Sequence, residues 1–319
     1  MRLLLTITLL GLAWFAAVNL AASAIAWVAA RTIVRRRWQP HPDWLLAIRL
    51  FPACAATFFV AVVFLPAHLR FEPSESDEAF GRLLLTLTAV ACAAMWRAAS
   101  RAAAVGTVAL RTRRTLALLP SALAGRGVRD AYEVERFAGL SLAGVFRTRI
   151  LVGSEARRVL TPEELGVALA HEHAHRAACD NVKRCAMFCA PDFFGWTAAA
   201  RALEQRWRAD AECRADARAV AGDERRAVQL ASALLKVARL ATRGNESLVS
   251  PVWSTFHEPV LLEARVRRLV SGEALAAPST RLTRPVVVAS LLVLAWLGSS
   301  AAAAEQIHRA TEALVHLLP

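Results

Sequence analysis

Lysine and acidic side chains are scarce in this 319-residue chain. Lys183 and Lys236 are the only lysines, and 26 Asp and Glu stand against 39 Lys and Arg, so the formal net charge of +13 comes almost entirely from arginine. Charged residues make up only 20% of the chain, whereas hydrophobic residues make up 56% and the mean hydropathy is +0.38. This apolar content excludes intrinsic disorder and is typical of a protein that lies partly in lipid.

Cysteine and glycine are also too sparse or scattered to define the fold. The chain has six cysteines, none of which form a C-x2-C pair, and 14 glycines. A disulfide-stapled secreted fold, a collagen-like repeat and a cysteine-based zinc site are therefore disfavoured. No helix-turn-helix or zinc-finger spacing accompanies the arginines, so we predict no direct contact with nucleic acid. Arginines that face lipid headgroups explain the charge instead.

Four apolar runs are long enough to be considered membrane spans, at residues 3–30, 45–69, 79–98 and 286–304. A cleaved signal peptide is an alternative for the first run, although its apolar stretch is about twice the usual length. The sequence predicts a mainly α, four-span α-helical integral membrane protein with a domain inserted between the third and fourth spans. The predicted divisions are three spans in 1–110, the inserted domain in 111–284, and the fourth span with a short tail in 285–319.

The loops between the runs differ in charge. The first loop is basic and contains Arg31, Arg35, Arg36 and Arg37. The second loop is acidic and contains Glu72, Glu75, Asp77 and Glu78. The third run is followed by Arg97, Arg101, Arg111, Arg113 and Arg114. Cytoplasmic loops carry an excess of Arg and Lys. We therefore predict a multi-pass protein of the cell membrane whose inserted domain is cytoplasmic and whose termini are both extracytoplasmic.

A capped helix in the inserted domain carries a metal-binding pattern. The segment from Thr161 to Glu164 reads T-P-E-E, a capping box with proline in the first turn, and the helix continues to about residue 178. On this helix His171 and His175 lie one turn apart, so both imidazoles can bind one Zn²⁺, while Glu172 lies beside the metal. This H-E-x-x-H pattern is typical of metallopeptidases, in which the glutamate takes a proton from the attacking water.

A second helix offers the third ligand. Glu212 and Asp216 are one turn apart in A-D-A-E-C-R-A-D. Glu212 can complete a His2Glu set, and Asp216 can accept the free ring N–H of a ligand histidine. The alternative is an ordinary helix surface on which both acids pair with arginines such as Arg208 and Arg218.

These motifs carry a family resemblance. H-E-H-A-H, the following C-D-N, an apolar stretch at 186–200 and E-C-R-A-D resemble the BlaR/MecR-type membrane sensor metallopeptidases, and the E-x-x-A-D pattern is also similar to the HtpX-type membrane gluzincins. The likeness covers about residues 126–270. It implies a gluzincin catalytic domain, with an edge strand before the zinc helix. The apolar stretch at 186–200 is short for a span and is interrupted by proline, so we interpret it as a helix that lies on or dips into the membrane near the site.

The resemblance assigns further roles. Arg149 and Ile150 would belong to an edge strand that binds an extended substrate, although a buried structural strand is the alternative. His257 would donate to the oxyanion, and Arg265 would anchor acidic groups near the site. A surface histidine and a salt-bridged arginine are the alternatives to these roles. Asp180 is either a helix-end residue or a partner of a ligand histidine.

The expected activity is that of a zinc-dependent endopeptidase with one Zn²⁺ per chain, acting at the cytoplasmic face in regulated proteolysis or signalling. The expected partners are the lipid bilayer and a peptide or protein substrate, such as a transcriptional repressor or the protein itself. Only residues 305–319 follow the fourth run, so we expect no large extracellular sensor domain of the kind that the sensor family carries. Two alternatives remain: a signal transducer that cleaves only when triggered, and a non-catalytic scaffold stabilised by zinc.

Overall fold

The computed structural model describes residues 2–36, 41–71, 81–117, 131–135, 137, 139–241, 254–255, 261–272, 305–306 and 309. The chain divides into two compact units. The first comprises Met1–Ser100, Cys189–Glu204 and Thr280–Pro319, and the second comprises Arg101–Phe188 and Gln205–Ser279. The fourth predicted span, at 286–304, lies outside the described residues.

Long apolar helices form most of the first unit. They are α1 (Arg2–Arg35), α2 (Pro42–Phe58), a π-helical turn (Phe59–Phe64), α3 (Leu65–Phe71) and α4 (Arg82–Ala117). Three stretches of these helices are long and apolar enough to cross a membrane, at Leu4–Arg35, Pro42–Arg70 and Arg82–Arg114. The first three predicted runs are thus confirmed as long apolar helices, and each helix continues past the C-terminal end of its run.

Alanine lets these helices approach closely. Two buried clusters combine small residues with a few large ones: Leu10, Ala13, Phe64 and Leu84; Phe15, Ala16, Ala56 and Ala91. In lipid, association of helices depends on such close packing because the surrounding acyl chains are as apolar as the side chains. The apolar composition that identifies the spans therefore also supplies their contacts.

The connection at residues 190–197 joins α7 (Asp180–Cys189) to α8 (Ala198–Val220) and contains the 3₁₀ turn Phe194–Trp196. It packs on α1. The Asn19 side chain donates to Pro191 O at 2.9 Å and accepts from Phe193 N at 3.2 Å. The prediction of a single helix across 186–200 was therefore wrong, because Pro191 falls in a break whose backbone groups bond to α1 instead.

A small sheet lies in the second unit, with strand order β1-β3-β2-β4. The strands are β1 (Ala131–Val134), β2 (Leu140–Ala143), β3 (Arg149–Gly153) and β4 (Ser254–Thr255). β3 runs parallel to β1 and antiparallel to β2, and β2 also pairs antiparallel with β4.

The place of β3 corrects the predicted edge strand. β3 contains Arg149 and Ile150 and is paired on both sides, so its backbone has no open side for an extended substrate. Ile150 is fully buried in the core, and Arg149 is exposed with its guanidinium over the Tyr132 ring. The alternative of a structural strand therefore describes β3.

Helices cover the sheet. They include α5 (Ser154–Val159), α6 (Pro162–Ala177), α9 (Glu224–Ala241) and α10 (Leu262–Val270). The predicted capping box is present at the start of α6, where Glu164 N donates to Thr161 Oγ1 at 3.2 Å and Thr161 N donates to Glu164 Oε2 at 2.9 Å. The core contains buried residues of the sheet, α6 and α9, among them Leu140, Ile150, Val167, Ala168, Leu230 and Leu234.

Candidate metal centre

Three side chains from two helices converge in the second unit. His171 and His175 on α6 lie one turn apart, and their Nε2 atoms are 3.1 Å from each other. Glu212 on α8 faces both rings, with Oε2 3.4 Å from His171 Nε2 and Oε1 3.4 Å from His175 Nε2. One ligand atom from each residue lies within 4.8 Å of the others, so the group could hold a metal ion.

The donor set suits a metal. All three side chains are fully buried, and the two imidazoles direct the same ring atom, Nε2, toward one carboxylate. Two imidazoles and a carboxylate are the protein ligands of many catalytic zinc sites, which leave a fourth position for water or substrate. The residues present therefore fit a zinc ion.

Glu172 is the unexplained polar group of the site. Its side chain is fully buried next to His171, and neither carboxylate oxygen has a hydrogen-bond partner within the described part of the chain. Burial raises the pKa of this carboxyl above its ordinary value, against the charges of His171 and His175, which lower it. A buried carboxylate is costly without a partner, so this position fits a bound water and metal that the side chain would face.

The Nδ1 atom of each histidine faces a carboxylate, on the side of the ring away from Nε2. His175 Nδ1 lies 2.7 Å from Asp180 Oδ2, and His171 Nδ1 lies 3.0 Å from Asp216 Oδ1. A carboxylate at Nδ1 holds the proton on that nitrogen and leaves Nε2 as the free ligand atom. Asp180 is also the first residue of α7, so both roles considered for it apply.

Arg265 on α10 links the acids. Its Nε and Nη2 atoms donate to Asp216 Oδ2 at 2.9 Å and Oδ1 at 2.7 Å, and its Nη1 lies 3.1 Å from Glu212 Oε2. Burial would raise the pKa of Asp216, but the charge of Arg265 and the contact with His171 lower it to about 2. Arg265 is thus a salt-bridged arginine, which is the alternative considered for it, and both acids that it contacts belong to the candidate site.

The protein without metal holds opposite charges at the ligand atoms. Burial would lower the pKa of His175, but the charge of Glu212 and the hydrogen bond with Asp180 raise it to about 10. Burial would likewise raise the pKa of Glu212, but His175 and Arg265 keep it well below its ordinary value. A metal ion would replace the His175 proton as the positive partner of Glu212.

Two residues of the site were missed by the sequence reasoning. Arg184 on α7 donates from Nη2 to Glu212 Oε1 at 3.1 Å, and both side chains are buried. Asn181 donates from Nδ2 to Leu142 O at 2.6 Å and to Gly144 O at 2.7 Å, which ties α7 to β2. The spacing offered a signal, because Arg184 follows Asp180 by four residues and therefore shares its helix face.

Three candidate residues remain. Arg149 and Ile150 belong to β3 as described above, and His257 lies outside the described residues. His173, which lies between the two ligand histidines in the sequence, is exposed. Glu212 and Asp216 are buried, so the alternative of an ordinary helix surface is wrong for them.

No protein-family model matches the chain, and no curated protein matches it either.

Proposed function

We propose that the protein is a membrane-bound zinc-dependent endopeptidase of the gluzincin type. The observation that carries the proposal is the buried Glu172 carboxylate, which has no hydrogen-bond partner among the described residues and lies beside a His171, His175 and Glu212 ligand set. A purely structural metal site needs no such carboxylate and is usually closed by four protein ligands.

His171, His175 and Glu212 would hold the Zn²⁺. The bound metal would lower the pKa of its water and polarise the substrate carbonyl. Asp180, 2.7 Å from His175 Nδ1, and Asp216, 3.0 Å from His171 Nδ1, would hold the protons on these nitrogens, so that both Nε2 atoms remain available as ligands.

Glu172 would act as the general base. Its carboxylate accepts a proton from the water that attacks the peptide carbonyl and later delivers this proton to the leaving amine. The raised pKa makes this buried carboxylate a stronger proton acceptor than an exposed glutamate.

The membrane setting suggests regulated proteolysis or signalling. The three apolar helices hold the protein at the bilayer. The basic first loop and the arginines after the third span favour a cytoplasmic catalytic domain with extracytoplasmic termini. Substrates would then be cytoplasmic or membrane-proximal segments, such as those of a repressor or of a second copy of this chain.

Burial of the site favours triggered rather than constitutive activity. His171, Glu172, His175 and Glu212 are each 0% exposed, so a peptide needs a conformational opening to reach them. A signal that favours the open state would raise activity by shifting that equilibrium.

The test compares the wild type with Glu172→Gln and with a matched control, Glu163→Gln. Glu163 is an exposed acid on the same helix, so its substitution makes the same chemical change away from the site. Each full-length protein is purified in detergent, its zinc content is measured by elemental analysis, and cleavage of itself and of an unstructured peptide library is followed by mass spectrometry.

We expect about one zinc per chain in all three proteins, with cleavage in the wild type and Glu163→Gln alone. Cleavage by Glu172→Gln at the wild-type rate would overturn the mechanism. Absence of zinc in every protein would overturn the metal site. Zinc in all three without cleavage, even when the purified proteins are reconstituted in liposomes, would instead support the zinc-stabilised scaffold.

A further inference from the structure

We propose that Arg184 is a positioning residue that orients Glu212 for metal binding, an inference that rests on the proposed metal site. Arg184 is 5% exposed and donates from Nη2 to Glu212 Oε1 at 3.1 Å. The same oxygen lies 3.4 Å from His175 Nε2. Arg184 therefore contacts the carboxylate at the oxygen that faces one of the histidine ligands.

The two arginines near Glu212 have different tasks. Arg265 lies 3.1 Å from Glu212 Oε2, but both of its donated hydrogen bonds described above go to Asp216. Arg184 instead directs a hydrogen bond to Glu212 itself. The carboxylate is thus held at Oε1 by Arg184 and flanked at Oε2 by Arg265, which restricts rotation about its terminal bond.

Arg184 is positioned next to Glu212 by the buried face of helix α7. Asp180, Arg184 and Met187 share its buried face, at positions i, i+4 and i+7. Asp180 contacts His175 at 2.7 Å. The adjacent Asn181 fixes the helix start through one hydrogen bond to Leu142 of β2 and one to Gly144, the residue that follows this strand. One helix therefore supports a ligand of α6 through Asp180 and a ligand of α8 through Arg184.

Two physical effects of Arg184 oppose each other. Its positive charge repels a metal cation and makes the Glu212 carboxylate a weaker metal ligand. Its hydrogen bond instead fixes that carboxylate in the orientation that binds the metal. Groups that orient metal ligands in this way typically contribute about 10- to 100-fold to metal affinity. We infer that orientation dominates, because the guanidinium is itself held in a buried, hydrogen-bonded position.

The experiment measures metal binding without any substrate. Full-length wild type, Arg184→Gln, Arg184→Lys and the control Arg158→Gln are purified in detergent and stripped of metal. Arg158 is an exposed arginine of α5, so the control removes one positive charge away from the site. Zinc affinity is measured by chelator competition, the Co²⁺-loaded forms are compared by visible absorption, and thermal unfolding of the metal-free forms is recorded.

We expect Arg184→Gln to bind zinc about 10- to 100-fold more weakly than the wild type, with altered Co²⁺ absorption. Arg184→Lys should recover part of the affinity, because an ammonium can reach one carboxylate oxygen but cannot reproduce the planar donor. Arg158→Gln should match the wild type, and all metal-free forms should unfold at similar temperatures.

Three results would overturn the proposal. Tighter zinc binding by Arg184→Gln would mean that Arg184 acts only as a competing cation, and unchanged affinity and absorption would mean that it does not position Glu212. Failure of both Arg184 variants to fold without metal would make the residue a structural one. Wild-type protein that binds zinc but cleaves nothing would refute the peptidase and leave this inference standing.

Discussion

Arg49 on α2 donates from Nη1 to Asp192 Oδ2 at 2.8 Å, and both side chains are buried at 1% exposure. Arg49 Nε also donates to Glu204 Oε1 at 2.5 Å. Asp192 in turn accepts from Gly195 N, so it closes the turn that follows Pro191. A charged side chain within an apolar helix is costly unless it is paired, and here its partners lie in the 190–197 connection and the start of α8.

Removal of the Asp192 charge should destabilise the first unit. Asp192→Asn leaves the buried guanidinium with one carboxylate fewer, and we expect a loss of about 3 kcal/mol in the free energy of unfolding. Glu204→Gln should cost less, about 1 kcal/mol, because the Glu204 side chain is 23% exposed and remains open to water. Unfolding of the full-length protein in detergent, followed by circular dichroism, measures both changes.

Arg36 is exposed and therefore provides the control for this comparison. Arg36→Gln should change the free energy of unfolding by less than about 0.5 kcal/mol. Equal, small changes for Asp192→Asn and Arg36→Gln would contradict the buried ion pair.

The carboxylates behind the histidines should control zinc affinity without binding the metal. Asp180→Asn and Asp216→Asn each replace the oxygen at Nδ1 by a weaker, neutral acceptor, so we expect zinc affinity to fall about 10- to 100-fold in each variant. His171→Ala, which removes a ligand, should lose zinc altogether. Chelator competition measures these affinities, with Glu155→Gln on the exposed face of α5 as the control. Wild-type affinity in both aspartate variants would show that these contacts do not support the ligands.

Glu164 should make stability depend on pH. Its carboxylate accepts hydrogen bonds from Ser232 Oγ at 2.6 Å and Lys236 Nζ at 2.8 Å, in addition to the capping bond. Burial would raise the pKa of Glu164, but these hydrogen bonds lower it below the ordinary 4.5. The folded protein therefore holds this proton less tightly than the unfolded chain. The resulting stability is present above pH 4.5 and is lost as the pH falls through the lower, folded pKa.

The matching variant is Glu164→Gln, which should be about 2 kcal/mol less stable than the wild type at pH 7. The difference should shrink as the pH falls below 4.5, because the wild-type carboxyl becomes neutral as well. Glu163→Gln, an exposed neighbour, should show no such dependence. Denaturant unfolding at a series of pH values measures the effect, and a constant difference at all pH values would contradict it.

Local patterns in the sequence identified much of the candidate site. The i, i+4 spacing places His171 and His175 on one face of a helix, and the capping box fixes where that helix begins. The same spacing singled out Glu212 and Asp216. These patterns join residues that are close in the sequence and depend only on helix geometry. They can therefore be recognised without knowledge of the tertiary structure.

The features that the sequence did not predict depend on contacts between segments that are distant along the chain. Arg184 belongs to a chain rich in arginine, and only the fold shows that it faces Glu212. The strand that contains Ile150 was placed at an edge by the family resemblance. Its partners in the sheet, β1 and β2, are only four residues long, too short to be recognised from alternation. Arg49 falls within the second apolar run, and the sequence does not reveal its partners because they lie more than 140 positions away.

The orientation of the spans gives the last prediction. The basic first loop should be cytoplasmic and the acidic second loop extracytoplasmic, because arginine is retained on the cytoplasmic side. Green fluorescent protein fused after Arg36 should therefore fluoresce, whereas alkaline phosphatase fused after Phe71 should be active. Exchanging the two reporters provides the control, since each should then be silent. Active phosphatase after Arg36 would reverse the topology and place the metal site outside the cytoplasm, where repressors and other cytoplasmic proteins could not be its substrates.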